Sequence, residues 1–389
     1  MGIRYLFERI AACRFVMRLI ECYLDGYRNL NRVRIRPHPK MNIIYGQNAQ
    51  GKTNLMEGIS LFSGGRPLRS ASDSKRIGFD RELASLKIWF DDGKREQEAE
   101  IVLGRKNRFS CNRVPLQSLS EFSGVFPTVF FSPSHLSIVQ GEPRLRRQFL
   151  DRAIAQLRPD YATYLGQYER VLTQRNALLK SMKQNAVNYL DVWDQQLSQL
   201  GSVISILRQD YVNKMQPILN QIYQGISTGK EVLSASYHST VFEDAPDQIY
   251  SADKVEQYLQ ALSNSREKDV ATGHTSIGIH RDDLSLKIGD LGVREYGSQG
   301  QQRSCVIVLK LTEAKLLKNI VGSEPIVLLD DVMSELDESR QDYILNHVKR
   351  HQVFITCCDI SNTLRLQNGK VYKMEQGNCP ETEEIKNEM

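Results

Sequence analysis

Apolar positions recur along this chain with two periods, and the change of period divides it. Up to about residue 131 the runs are short and strand-like. Residues 18–24 (RLIECYL) and 33–36 flank the turn Asp25-Gly26-Tyr27-Arg28-Asn29, and 41–45 (MNIIY) reads as a buried strand. Residues 84–90 and 98–103 alternate like a hairpin about Asp91-Asp92-Gly93-Lys94, 109–114 adds a strand, and Ser132-Pro133 stops the apolar run 128–131. After Gly141 the period becomes helical. From 144 to about 223, with only Pro159 and Pro217 as breaks, Leu165, Tyr168, Leu172, Leu179 and then Trp193, Leu197, Leu200, Ile204 mark stripes. They predict long antiparallel helices forming an arm, the stripes being its core. Residues 233–240 predict a strand, 248–262 a helix and 264–273 a linker; 275–280 and 281–288 return to β character. An amphipathic helix is expected over 304–319, buried strands over 325–330 and 353–357, and a helix over 342–349. The tail from Gln376 carries Glu381, Glu383, Glu384 and Glu388 with little to bury, and reads as disordered.

The strand at 41–45 runs into Gly46-Gln47-Asn48-Ala49-Gln50-Gly51-Lys52-Thr53, which fits G-x-x-x-x-G-K-[ST], and a helix opens at Thr53. Gly46 and Gly51 allow the tight turn that aims successive N–H groups at a phosphate. Lys52 supplies a point charge for the β- and γ-phosphates, and Thr53 a hydroxyl for Mg²⁺. That helix is expected to run to about Phe62 and stop at Gly64-Gly65; Arg66, Arg69, Lys75 and Arg76 follow in a polar loop. Far downstream, Ile326-Val327-Leu328-Leu329-Asp330-Asp331 is an apolar strand ending in two carboxylates. This Walker B pattern gives Asp330 to Mg²⁺ through water and Asp331 to the attacking water as general base. By itself a strand ending in acids is a weak signal. With the phosphate loop it makes nucleotide hydrolysis the leading chemistry. Between them Tyr296-Gly297-Ser298-Gln299-Gly300-Gln301-Gln302-Arg303-Ser304 opens a long helix, where Ser298 and Gly300 expose N–H groups and a hydroxyl at its N-terminus. A second anion site in one chain suggests a dimer in which it closes on the partner copy's γ-phosphate.

Composition changes little. The chain of 389 residues has room for two domains, with 41% apolar and 25% charged residues, ordinary globular values. No stretch approaches the ~20 apolar residues of a membrane span, so a membrane partner is not expected. A charge of +5 permits nucleic acid without demanding it. Cys13, Cys22, Cys111, Cys305, Cys357, Cys358 and Cys379 are odd in number and lack a C-x-x-C pair. They fit reduced thiols in a cytoplasm better than disulfides or zinc. Arg4, Arg9 and Arg14 interrupt the first apolar run, so a signal peptide is not expected. Residues 1–16 read as a poorly ordered extension before a natural start at Met17. Arg144, Arg146, Arg147 and Arg152 cluster at the base of the arm, and read equally as nucleotide- or DNA-sensing charges or as a solvated face.

The SQGQQR turn resembles the signature of ABC-type ATPases of the SMC-like repair group, and of the RecF family in particular. The likeness runs from Met17 to about Tyr372 through Tyr27-Arg28-Asn29-Leu30, the phosphate loop, the Arg66–Arg69 loop, Arg146-Arg147-Gln148-Phe149-Leu150-Asp151 and Gln174-Arg175-Asn176. It continues through Val192-Trp193-Asp194, GIHRDDL at 278–284, LLDDVMSELD and Val353-Phe354-Ile355-Thr356. It implies an α/β fold: an ABC-type P-loop ATPase head, residues 17–135 and 272–375, with added antiparallel β-strands and an inserted helical arm domain, 136–271. The acidic tail is 376–389. It further implies an ATP- and Mg²⁺-dependent homodimer with weak DNA-stimulated ATPase activity that binds gapped DNA and single-/double-strand junctions. It implies work with RecO and RecR in loading RecA. Lys52 and Thr53 would be phosphate and Mg²⁺ contacts, Ser298 would reach the partner copy's γ-phosphate, and 334–337 (SELD) would be the D-loop crossing the dimer interface. Arg66, Arg69 and Arg76 are the candidates for DNA phosphates. Three places depart from the family pattern: Ser134 and His135 where acidic residues are usual, Ile279 where proline is, and Cys357 and Cys358 where threonines are. The other readings are the ATPase subunit of a membrane transporter, which usually carries LSGGQ and a switch histidine, and a DNA clamp that binds ATP but hardly hydrolyses it.

Overall fold

The computed structural model describes residues 15–64, 73–181, 190–243, 250–359, 369–380 and 384–385. The chain divides into two compact units, residues 1–135 with 307–389, and residues 136–306.

The first unit is built on two sheets. In one, parallel strands follow the order Gly369–Lys373, Met41–Tyr45, Val353–Cys357, Ile326–Asp330, Thr128–Phe131, with Glu384–Ile385 antiparallel at the edge. A parallel strand covered on both faces needs an unbroken apolar run. Ile326–Asp330 and Thr128–Phe131 are accordingly buried throughout. The other sheet is antiparallel: Val33–Ile35, Arg18–Asp25, Ala84–Asp91, Glu96–Leu103, Arg108–Cys111, Val114–Leu116. Here Ala84–Asp91 alternates buried and half-buried along its length, the pattern of one covered face. The helix Lys52–Ser60 buries Leu55, Met56 and Ile59 in a core shared with Leu24, Leu86, Phe90, Ile44 and Leu328. Gly58 permits its close approach to the antiparallel sheet, since a Cβ there would lie 2.3 Å from Leu24 Cδ2.

The main helices of the second unit are Pro143–Leu157, Pro159–Ser181, Asp191–Ile226 and Ala252–Thr272, beside a sheet of Leu233–His238, Asp283–Ile288 and Leu291–Gly292. A buried arginine ties three of the helices together. Arg175 Nε donates to Asp194 Oδ1 (2.7 Å), and its Nη1 to Asp269 Oδ2 (2.7 Å) and Thr275 Oγ1 (2.9 Å); Arg266 Nε reaches Asp194 Oδ2 (2.7 Å). Breaking such a set would strand a buried charge, which costs about 3–5 kcal/mol.

Several expectations fail, each for a tertiary reason. The linker expected over 264–273 is helix, because Ala252–Thr272 is capped by Ser251 and Gly273 and held at its far end through buried Asp269. Pro217 does not break Asp191–Ile226, where Gln216 bonds both Leu233 O and Ala235 N of the neighbouring strand. Residues 275–280 are irregular, bending at 277–278 and turning at 279–280, because side chains take their backbone donors: Asn176 Oδ1 accepts from Thr275 N and Thr240 Oγ1 from Gly278 N, both at 2.8 Å. Residues 272–306, expected with the head, belong to the second unit because Asp283–Ile288 pairs along its whole length with Leu233–His238. The helix Gln299–Val321, expected to be amphipathic, is buried almost all round from Cys305 to Leu317. At the chain ends, Phe15 and Val16 pair parallel with Ser323 and Glu324, Cys379 is buried, and Glu384 and Ile385 pair with Lys370 and Gly369. The expected disorder of 1–16 and 376–389 therefore does not hold for those residues; 1–14, 381–383 and 386–389 lie outside the described ones.

Candidate nucleotide site

The strand Met41–Tyr45 delivers the chain into the loop, and the helix Lys52–Ser60 carries it away. Gly46, Ala49 and Gly51 all take positive φ, 153°, 64° and 113°, which coils the loop on itself. The two glycines are also required by packing. A Cβ on Gly46 would lie 2.3 Å from Met374 O, and one on Gly51 2.9 Å from Leu30 Cδ2. Lys52 is buried, and its ammonium donates to Gly46 O and to Gln47 O (2.9 Å). It meets no carboxylate among the described residues, so an anion is the partner its charge lacks.

Thr53 Oγ1 donates to Asp330 Oδ1 at 3.0 Å, across 277 residues of sequence. Thr356, at the end of the adjacent strand, donates to the same oxygen (2.9 Å) and accepts from Asp331 N (2.9 Å). Asp331 has φ 53°, a left-handed conformation that costs a non-glycine residue energy and that these bonds hold in place. Ser334 Oγ donates to its carboxylate (3.0 Å) and its carbonyl (2.9 Å). Thr53, Glu57, Phe130, Ser132, Pro133, Ser134, Asp330 and Asp331 line a pocket of about 140 Å³. Hydroxyl, paired carboxylates and an ammonium at a phosphate loop fit a nucleotide with Mg²⁺, which characteristically takes one or two carboxylates plus substrate phosphates. Among the described residues no group of three or more His, Cys, Asp or Glu could hold a metal.

The other expected positions fall as follows. Ser134 lines the pocket and His135 turns inward, its Nδ1 accepting from Ser132 N (2.9 Å). Cys358 Sγ lies 3.1 Å from Asn48 Oδ1 and 3.8 Å from Lys52 Nζ. Ile279 N donates to Tyr258 Oη (3.2 Å), a bond proline could not make. Asp337 caps the helix Glu338–Val348; the Ser339 hydroxyl and Arg340 N hold its carboxyl down at about 2. In the second unit Ser298 caps Gln299–Val321 reciprocally: its Oγ accepts from Gln301 N (3.2 Å), and Gln301 Oε1 from Ser298 N (2.8 Å). Ser298 is exposed and Gly300 half-buried. Arg146 is no solvated charge, for it forks onto Asp283 at 2.7 and 2.8 Å, and Arg147 donates to Asp282 O (2.7 Å). Arg76 ends a short 3-10 turn, Asp73–Arg76; Arg66 and Arg69 lie outside the described residues.

Sequence reasoning missed the braces around the loop. Asn29 Nδ2 donates to Ala49 O (3.0 Å) and its Oδ1 accepts from Asn54 Nδ2 (2.7 Å); Arg28 pairs with buried Glu57 at 2.9 Å. The Arg-Asn pair after the first strand was the available signal. The turn at 374–378, which bonds Gln50, had none beyond Gly377.

With that geometry, residues 18–379 match the profile of the RecF/RecN/SMC N terminal domain. The DNA replication and repair protein RecF of Clostridium acetobutylicum is 37% identical over 369 residues, 91% of this chain and 99% of the relative. The chain belongs to the RecF family. RecF of Clostridioides difficile is 36% identical over 375 residues, covering 93% of this chain and 100% of its own. A solved RecF, the recombination mediator protein RecF-ATPrS of the RecFOR pathway, superposes with a TM-score of 0.87 at 31% identity, over 95% of this chain and 99% of that one. The Smc head domain of Pyrococcus furiosus aligns at a TM-score of 0.54 and 14% identity, a likeness of fold alone. The fold is thus the α/β ABC-type ATPase head that RecF shares with SMC proteins, and the transporter reading falls away.

Proposed function

We propose that this chain is an ATP-dependent DNA-binding ATPase of replication and recombinational repair. One observation carries the chemistry: Thr53 and Asp330, from opposite ends of the chain, meet at 3.0 Å beside Lys52 in a member of the RecF family. On this reading the loop N–H groups of 46–53 and the Lys52 ammonium bind the phosphates. Thr53 and Asp330 hold Mg²⁺, which supplies charge neutralisation when bound. Asp331 orients the attacking water and takes its proton. Ser298 and Gly300 close on the γ-phosphate of a second copy, so that ATP drives dimerisation, with 334–337 crossing between copies. The dimer binds gapped duplex and single-/double-strand junctions in the cytoplasm, through Arg66, Arg69 and Arg76, and acts with RecO and RecR in loading RecA.

The test is ATP turnover and oligomeric state measured with and without gapped DNA. Turnover that rises on gapped DNA, together with an ATP-dependent dimer, is expected. Stoichiometric rather than catalytic ATP use would leave a clamp instead. Because the contacts are to phosphates, DNA affinity should fall steeply with salt and depend little on base sequence.

A further inference from the structure

The turn after Gly369–Lys373 grips the phosphate loop from outside. Met374 N donates to Tyr45 O (2.8 Å), and Gly377 N to Gln50 O (2.9 Å). Gln376 N donates to Gln50 Oε1 (2.5 Å). The turn closes on itself through Glu375 N to Asn378 O (2.9 Å) and Asn378 N to Glu375 O (2.8 Å). Behind it, Asn31 N donates to Gly377 O (2.8 Å), and buried Met374 and Cys379 anchor both ends. Gly377 has φ 75°, and a Cβ there would lie 1.8 Å from Asn29 O. Asn29 is also the residue that holds Ala49. Loop residues 49 and 50 are thus held by two mutually packed segments that the phosphate-binding motif does not include.

An unrestrained loop loses conformational entropy when it closes on an anion, whereas a loop pinned from outside has lost it already. The geometry points to the turn 374–378 as a positioning element of the nucleotide site. It holds Gln50 in the conformation in which the loop N–H groups converge, so that seating of the turn and binding of nucleotide strengthen each other. This rests on the nucleotide reading above. Linkage makes the coupling reciprocal: the factor by which the seated turn tightens nucleotide is the factor by which nucleotide tightens the turn.

Hydrogen exchange and ATP affinity test it together. In the wild-type chain, exchange of the Gln376 and Gly377 amides should slow on adding ATP, while amides of the remote strand Arg108–Cys111 should not change. Gly377→Ala, which drives the turn off Asn29, and Gln50→Leu, which removes one acceptor and keeps the backbone, should each weaken ATP about tenfold. For Gln50→Leu the melting temperature without ATP should stay at the wild-type value. Because both changes unseat the same turn, the double variant should bind no worse than the weaker single one. Failure of the wild-type chain to bind ATP would overturn the proposed function and this inference with it. Wild-type binding that both variants retain, a lowered melting temperature with unchanged affinity, or amides at 376 and 377 that ignore ATP would overturn the inference alone.

Discussion

Lys52 tolerates little change. The residue is buried, and its ammonium bonds two carbonyls of its own loop, Gly46 and Gln47. A guanidinium is larger and planar and cannot act as a point charge in that space. Lys52→Arg should therefore keep the fold, judged by circular dichroism and melting, while ATP turnover collapses; wild-type hydrolysis would remove Lys52 from the chemistry. Asp331 tests a different step. Asparagine keeps an oxygen for the Ser334 hydroxyl, 3.0 Å away, but cannot take a proton. Asp331→Asn should bind ATP, hydrolyse it about 10²–10⁴-fold more slowly, and persist as the ATP-bound dimer. A variant unable to bind ATP would instead make Asp331 a metal or folding residue.

The helices of the second unit are held by buried polar contacts, and one of these gives the protein a dependence on pH. His280 Nδ1 meets Tyr168 Oη at 3.0 Å and its Nε2 meets Thr275 O at 3.1 Å. Burial, with Arg281 and Arg147 adding to it, pushes the imidazole down to about 4. The unfolded chain, with an ordinary histidine near 6.5, binds a proton that the folded chain refuses between these values. The contribution is present in full above about pH 6.5 and is lost as pH falls toward 4, on the order of 3 kcal/mol. Chemical denaturation from pH 7 to pH 4 should show this loss, and His280→Gln should flatten it. An unchanged slope in the variant would assign it to other groups; His351, also lowered by burial, acts in the same direction.

For the whole molecule, each copy carries one phosphate loop and one signature turn. If every site is completed by the other copy, Ser298→Arg should leave ATP binding to the monomer intact and abolish ATP-driven dimerisation and hydrolysis. Ser298 is exposed, and its structural part is the cap shared with Gln301, so the substitution should cost about 0.5–2 kcal/mol and leave the fold standing. Mixing Lys52→Arg and Ser298→Arg chains pairs one intact loop with one intact signature. Partial turnover should then return in the mixture, followed by light scattering and phosphate release. Wild-type dimerisation and hydrolysis by Ser298→Arg alone would reduce Ser298 to a helix cap.

What the sequence determined by itself is local. The strand Met41–Tyr45, the loop after it and the helix from Lys52 are legible because glycine placement and apolar period act over a few residues. Ile326–Asp330 is legible too, since a strand covered on both faces must be an apolar run. The ends of elements were less legible. Ala252–Thr272 outran its apolar stripe because buried Asp269 is held by Arg175, which lies 94 residues away. What only the tertiary structure decided is which distant groups meet: Thr53 with Asp330, Thr356 with the Asp330 carboxylate and the Asp331 backbone N–H, and an acidic, glycine-containing tail with Gln50. Those contacts depend on strand order and on backbone donors and acceptors, which every residue type but proline carries alike, so no pattern of side chains along the chain could announce them.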